Sequence, residues 1–277
     1  MPSLGRGSSD RSDCVDDPTF RIAFLFHENI DLFRITLSRC LDALTHGTAE
    51  RFEVVLHCDG TRGEVGEPLL ALAEECDVDE VRVRRRARYL ASGDPSNNGH
   101  RRLFDGRPRY LITVEDDVVM YRTDPSFDVL AVCRGLFERH PNVVAISKVN
   151  DHGQWSWRLA DLGEAIDVGV RSVNRLSTHF VAYDVQRFLP VAQRFGGFDL
   201  DVFIDRPDLS YNWEDLVSHV GTTGGRQIAF AEGWPVDVFH CDRKVEPGSM
   251  YHTQDRSVKA AVLAELEQHY RASGGQA

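Results

Sequence analysis

Apolar and polar positions alternate along the chain in two periods. "FRIAFLF" (20–26) is a short apolar run rich in strand formers, and "DLFRITLSRCLDALTHG" behind it carries Leu32, Ile35, Leu37, Leu41 and Leu44 at helical spacing before a glycine stop. The pairing recurs: "RFEVVLHCDG" reads as a second strand and "EPLLALAEECD" as its helix. "DEVRVRRR" is a third strand, a short helix is predicted over 99–105, and "RYLITVEDD" is the fourth strand. "DPSFDVLAVCRGLFERHPN" predicts a helix begun by Asp124 and Pro125, and "VVAIS" is counted as the fifth strand. "STHFVAYDVQRFLPVAQRF" reads as a strand and a helix with Asp184 as N-cap. "YNWEDLVSHVGTTGG" opens a helix with carboxylates and closes it with glycines, and "RSVKAAVLAELEQHYRA" is a terminal amphipathic helix.

Strands that alternate with helices predict an α/β fold with a mainly parallel sheet, right-handed crossovers and flanking helices. Ligands of such sheets sit beyond the carboxyl ends of the strands. His27, Asp59 and the triplet Glu115-Asp116-Asp117 all fall there. Three adjacent carboxylates repel one another, and desolvating even one unpaired carboxylate costs several kcal/mol, roughly. A divalent cation such as Mn2+ or Mg2+ would compensate them, because hard cations take carboxylate and phosphate oxygens. A solvated acidic turn is the alternative reading of the triplet alone.

The 277 residues, 42% hydrophobic, suffice for one large domain. A formal net charge of −11 argues against a nucleic-acid partner, which requires a basic face. Arg82, Arg84, Arg85, Arg86, Arg88, Arg101, Arg102, Arg107 and Arg109 nevertheless gather ahead of the acidic triplet. They suit either a solvated strand edge or a diphosphate, whose oxygens pair with guanidinium forks. The scattered cysteines show no zinc-type spacing and read as reduced thiols. No transmembrane segment or signal core is recognisable, so a soluble cytoplasmic protein is expected. The polar, Gly/Ser-rich segment 1–19 is expected to be a disordered tail.

In their order along the chain these segments resemble GT-A-type glycosyltransferases, most of all the large family 2 group. "FRIAFLFHENIDLFRITLSRCLDAL" is similar to that group's first strand, nucleotide loop and helix, and "FEVVLHCDGTRGE" to the strand ending in Asp-Asp-Gly-Ser. "SNNGHRRLF" resembles the Asn-x-Gly helix start, and "YLITVEDDV" the strand that carries the DXD motif. "RFGGFD" followed by "NWEDLVSHVGTTGG" resembles the Gly-Gly-Phe-Asp segment and its acidic helix, so the likeness runs from about Phe20 to His240.

The resemblance implies a Rossmann-like GT-A domain that binds a nucleotide-diphosphate sugar through a divalent metal. Asp116 and Asp117 would meet metal and diphosphate, with Glu115 nearer the ribose, Asp59 at the nucleoside and His27 and Glu28 in the nucleotide loop. His27 and Glu28 replace a common Thr-Tyr pair and Cys58 an acidic residue, which leaves the donor base open. His240, in "PVDVFHCDRK", stands where a histidine completes the metal site in several GT-A enzymes. Asp215, with Glu214 as second choice, would be the base that deprotonates an acceptor hydroxyl in an inverting transfer. Trp213, Trp155 and Trp157 offer aromatic faces to an acceptor, which would be a small molecule, a saccharide or a lipid headgroup. His179 and His219 read as packed or capping residues.

Residues 20–149 would then form the nucleotide-sugar-binding half, 150–254 the acceptor-binding and catalytic half, and 255–277 a C-terminal helix and tail. Retaining transfer on the same site and a catalytically silent nucleotide-sugar-binding protein remain alternatives. A sugar-nucleotidyltransferase fits less well, since "FHENID" lacks the glycine-rich basic loop such enzymes place after the first strand.

Overall fold

The computed structural model describes residues 19–26, 29–59, 66–84, 103–149, 162–194, 213–241 and 256–272. Strand β1 (Phe20–Phe26) is buried along its whole length, as a central strand covered on both faces must be. Its alternation sorts the core into two layers. Phe20, Ile22, Phe24 and Phe26 face α1 (Ile30–Thr45) and α2 (Gly66–Glu75), whereas Ala23 and Leu25 point to the opposite side. Helix α3 (Val129–Arg139) joins the first layer through Leu130, Cys133 and Phe137. The second is built by α4 (Val185–Arg194) through Phe188 and Leu189, and by α5 (Trp213–Gly221) through Leu216, Val217 and Val220.

The other strands are β2 (Phe52–Asp59), β3 (Glu80–Arg84), β4 (Tyr110–Glu115), β5 (Val118–Arg122), β6 (Val143–Ser147), β7 (Leu162–Asp167), β8 (Val170–Val173), β9 (Phe180–Asp184), β10 (Gln227–Phe230) and β11 (Val236–His240). A nine-stranded sheet has the order β3-β2-β1-β4-β9-β6-β10-β8-β7. Only β8 and β9 run against its other strands, so the sheet is mixed and mostly parallel. Strands β5 and β11 pair antiparallel in a separate small sheet. Helix α6 (Arg256–Ala272) follows. Among the described residues no helix is long and apolar enough to cross a membrane.

Several expectations need correction. Helix α3 begins four residues later than expected. Asp128, not Asp124, is its N-cap, because the Asp128 carboxylate accepts both from the Ala131 amide at 3.0 Å and from the Thr48 hydroxyl at 3.0 Å. Asp124 instead closes a turn by accepting from the amide and hydroxyl of Ser126. "VVAIS" is β6, since the apolar residues after the acidic triplet form β5 in their own right. Asp184 does cap α4, accepting from the Arg187 amide at 3.2 Å while paired with Arg109 at 3.1 Å. Arg109 is thereby committed to the fold, and Arg82 is likewise paired with Glu80 at 2.7 Å. Residues 85–102 lie outside the described ones.

Candidate active site

The apolar run of β4 stops at Glu115, and Asp116-Asp117 turn the chain out of the main sheet into β5 of the small one. Two contacts hold this turn. The Thr36 hydroxyl of α1 donates to the Asp116 carbonyl at 2.7 Å, and the Cys241 amide donates to the Asp117 carbonyl at 2.7 Å. Asp116 and Asp117 are both buried. Pairing of β5 with β11 sets His240 opposite Val118, one residue past Asp117.

Because β9 runs antiparallel to β4, its beginning lies beside the end of β4. Val114 pairs with Phe180, and the Glu115 amide donates to the His179 carbonyl at 3.1 Å. The His179 imidazole Nδ1 stands 2.7 Å from Glu115 Oε2, and the Thr178 hydroxyl donates to Oε1 of the same carboxylate at 3.4 Å. On the other side, His240 Nε2 is 3.0 Å from Asp117 Oδ2, which also accepts from the Lys259 ammonium of α6. Burial by itself would push the Asp117 carboxyl up, but His240 and Lys259 pressed against it hold it well below the usual carboxylate range.

Glu115, His179 and His240 each present a ligand atom within 4.8 Å of the others. A carboxylate and two imidazoles form a mixed N/O donor set that a divalent transition ion can bridge, with Asp117 adjoining through His240. The structure therefore joins Glu115 and Asp117, expected from the triplet, to the expected His240. It adds His179, which the sequence assigned to packing. The one pointer to His179 is its place immediately before β9. It becomes informative only once the antiparallel direction of that strand is known.

The remaining expected residues are placed less completely. His27, Glu28, Trp155 and Trp157 lie outside the described residues. Asp59 ends β2 at the same sheet edge as Glu115, and Trp213, Glu214 and Asp215 open α5; these four are placed by their backbone alone. His219 lies exposed near the end of α5.

No family model and no curated protein sequence matches the chain. Solved structures do match. A mannosyltransferase from Pyrobaculum calidifontis, PcManGT, in complex with GDP-Man and Mn2+, superposes with a TM-score of 0.50 at 14% identity, over 79% of this chain and 58% of its own. GalNAc-T7 with UDP, GalNAc and Mn2+ superposes with a TM-score of 0.53 at 13% identity, over 82% of this chain and 44% of its own. The chain has the GT-A fold. It spans about half the length of these two structures, 58% and 44%. In this GT-A chain the acidic turn, His240 and the start of α5 belong to the segments that the sequence likened to the DXD strand, the strand after the acidic helix and the acidic helix itself. His179 belongs to none of them.

Proposed function

We propose that the protein is a metal-dependent glycosyltransferase that moves a sugar from a nucleotide-diphosphate donor to an acceptor hydroxyl, by inversion and with a carboxylate base. The observation that carries this reading is the cluster at the end of β4, where Glu115 and the buried Asp117 meet two imidazoles at the ligand-binding edge of a GT-A sheet. Support comes also from the two solved GT-A structures, each of which holds Mn2+ together with GDP-Man or UDP.

Asp117, Asp116 and His240 would hold the ion, with Glu115 and His179 completing the donor set. A divalent ion there supplies Lewis-acid stabilisation to the leaving diphosphate. Glu115, Asp116, Asp59, His27 and Glu28 orient the nucleotide. Asp215 takes the proton of the acceptor hydroxyl, with Glu214 beside it, a contribution typically worth about 10² to 10⁴ in rate. Trp213, Trp155 and Trp157 wall the acceptor subsite, where an aromatic face excludes water from one side of a sugar ring. Residues 20–149 bind the donor and 150–254 the acceptor.

The test is a turnover screen of UDP- and GDP-sugars with and without Mn2+, read as release of free nucleoside diphosphate. Release that requires the metal is expected. Binding of nucleoside diphosphate without turnover of any matched sugar-nucleotide would convert the reading to a silent binding protein, and absence of both would remove it.

A further inference from the structure

Helix α6 turns one face to the small sheet. Lys259, Val262, Leu263, Leu266, Glu267 and Tyr270 recur at the three- and four-residue spacing of a single helical stripe. Val262, Leu263 and Leu266 pack with Leu32 of α1, Val119 and Tyr121 of β5, and Cys241. Glu267 receives a two-pronged contact from Arg39 of α1, at 2.8 and 2.7 Å, and a hydrogen bond from the Tyr121 hydroxyl at 2.9 Å. Tyr270 stacks on Tyr121 with centroids 3.9 Å apart, and its hydroxyl donates to Asp237 of β11. The helix thus grips α1, β5 and β11, which lie beside the acidic turn. At the head of this stripe Lys259 reaches Asp117 Oδ2, the oxygen that His240 also contacts.

We propose that Lys259 is a tethered cation of the acidic turn that competes with a divalent ion for Asp117, so that docking of α6 sets the metal affinity of the site. This rests on the reading of Asp117 as a metal-bearing carboxylate. The Lys259 and Asp117 side chains are only 14% and 10% exposed, so solvent and salt screen their contact weakly. An ion drawn to the same carboxylate meets an ammonium at close range, and like charges there oppose each other. The lysine stem is flexible and carries a compact charge with three donors, so the ammonium can swing aside when an ion arrives. Three lysines occur in the chain, Lys148, Lys244 and Lys259, against a majority of arginines, and the one placed at this carboxylate is of the retractable kind.

Mn2+ titration of the full chain by calorimetry tests this with Lys259→Met and Glu267→Gln, the second of which loosens α6 without touching the turn. Lys259→Met is expected to bind Mn2+ at least about tenfold more tightly than the parent, as removal of a neighbouring like charge at short range requires. Its melting temperature should also rise more on addition of Mn2+. Glu267→Gln should shift affinity in the same direction by less. A lysine that merely braced the fold would give the opposite sign, because its loss would loosen the site. Equal or weaker Mn2+ binding by Lys259→Met overturns the proposal. If that variant fails to fold, unchanged affinity in Glu267→Gln overturns it instead. Failure of the parent and of both variants to bind Mn2+ removes the metal reading of the site along with it.

Discussion

His179 and His240 lie face to face, their ring centroids 4.0 Å apart and their planes within 7° of parallel. Each ring also ends on a carboxylate, His179 on Glu115 and His240 on Asp117. Both rings thus stand beside carboxylates, and an imidazole is itself a common metal ligand. Replacing either histidine by alanine should weaken Mn2+ binding by about 10- to 100-fold in calorimetric titration, the range for ligands and their immediate hydrogen-bond partners. Unaltered affinity in His179→Ala would return that residue to a packing role.

Asp117→Ala should abolish the metal-dependent part of donor binding, measured as the Mn2+-dependent rise in melting temperature with UDP or GDP. It also takes a buried carboxylate away from the Lys259 ammonium, which should lower stability. Urea denaturation reads that cost separately. Donor affinity equal to that of the parent would take Asp117 out of the metal site.

Asp215→Asn should leave donor binding intact and cut transfer by at least about a hundredfold, the scale of losing a general base. Glu214→Gln in the same assay distinguishes the two carboxylates. Near-normal turnover of Asp215→Asn with a severe loss in Glu214→Gln would move the base by one residue.

The backbone of α5 is seated on β10 at Gly221, where an added methyl would run into the Ile228 side chain. Gly221→Ala should therefore destabilise the fold by about 1 to 3 kcal/mol, the usual cost of overpacking. An undiminished urea midpoint would show that the helix can slide without penalty.

Asp167 links the edge strand β7 to the end of α3. Its carboxylate accepts from Arg139 at 2.6 Å and stands 3.1 Å from His140, and these contacts with the Val168 amide hold its pKa down to about 2. An unfolded aspartate titrates near about 3.9. The stability this residue confers is thus fully present above that value and is lost as pH falls through about 2. Urea midpoints of the parent and of Asp167→Asn should differ by a constant amount from pH 7 down to about 5 and converge in stronger acid. A gap that widened on acidification would contradict the assignment.

The parallel half of the sheet was legible because β1, β2 and β4 bury continuous apolar runs of ordinary strand length, with amphipathic helices between them. The acidic turn was legible for a similar reason, since charge at the end of such a run demands compensation. Of the groups that compensate it, only His240 was legible. His179 lies 64 residues from Glu115 and Lys259 lies 142 from Asp117, and neither separation leaves a local pattern. The start of α3 was misjudged because Asp124 and Asp128 are equally good caps by type, and the choice is made by Thr48, 80 residues away in the chain. Strands β7 and β8 escaped notice for another reason. Residues 163–165 of β7 are exposed, so the apolar signal that reveals a strand is weak there.

The small sheet closes over an unusual span of chain. Val118 pairs with His240, and Arg39 meets Glu267 across 228 residues. During synthesis on the ribosome, β4 and the carboxylates at its tip emerge long before β11 and α6 can reach them. Contacts of such long sequence separation form late, after loop closure has been paid in entropy. On that order the cluster around the acidic turn would close after most strands of the large sheet have emerged.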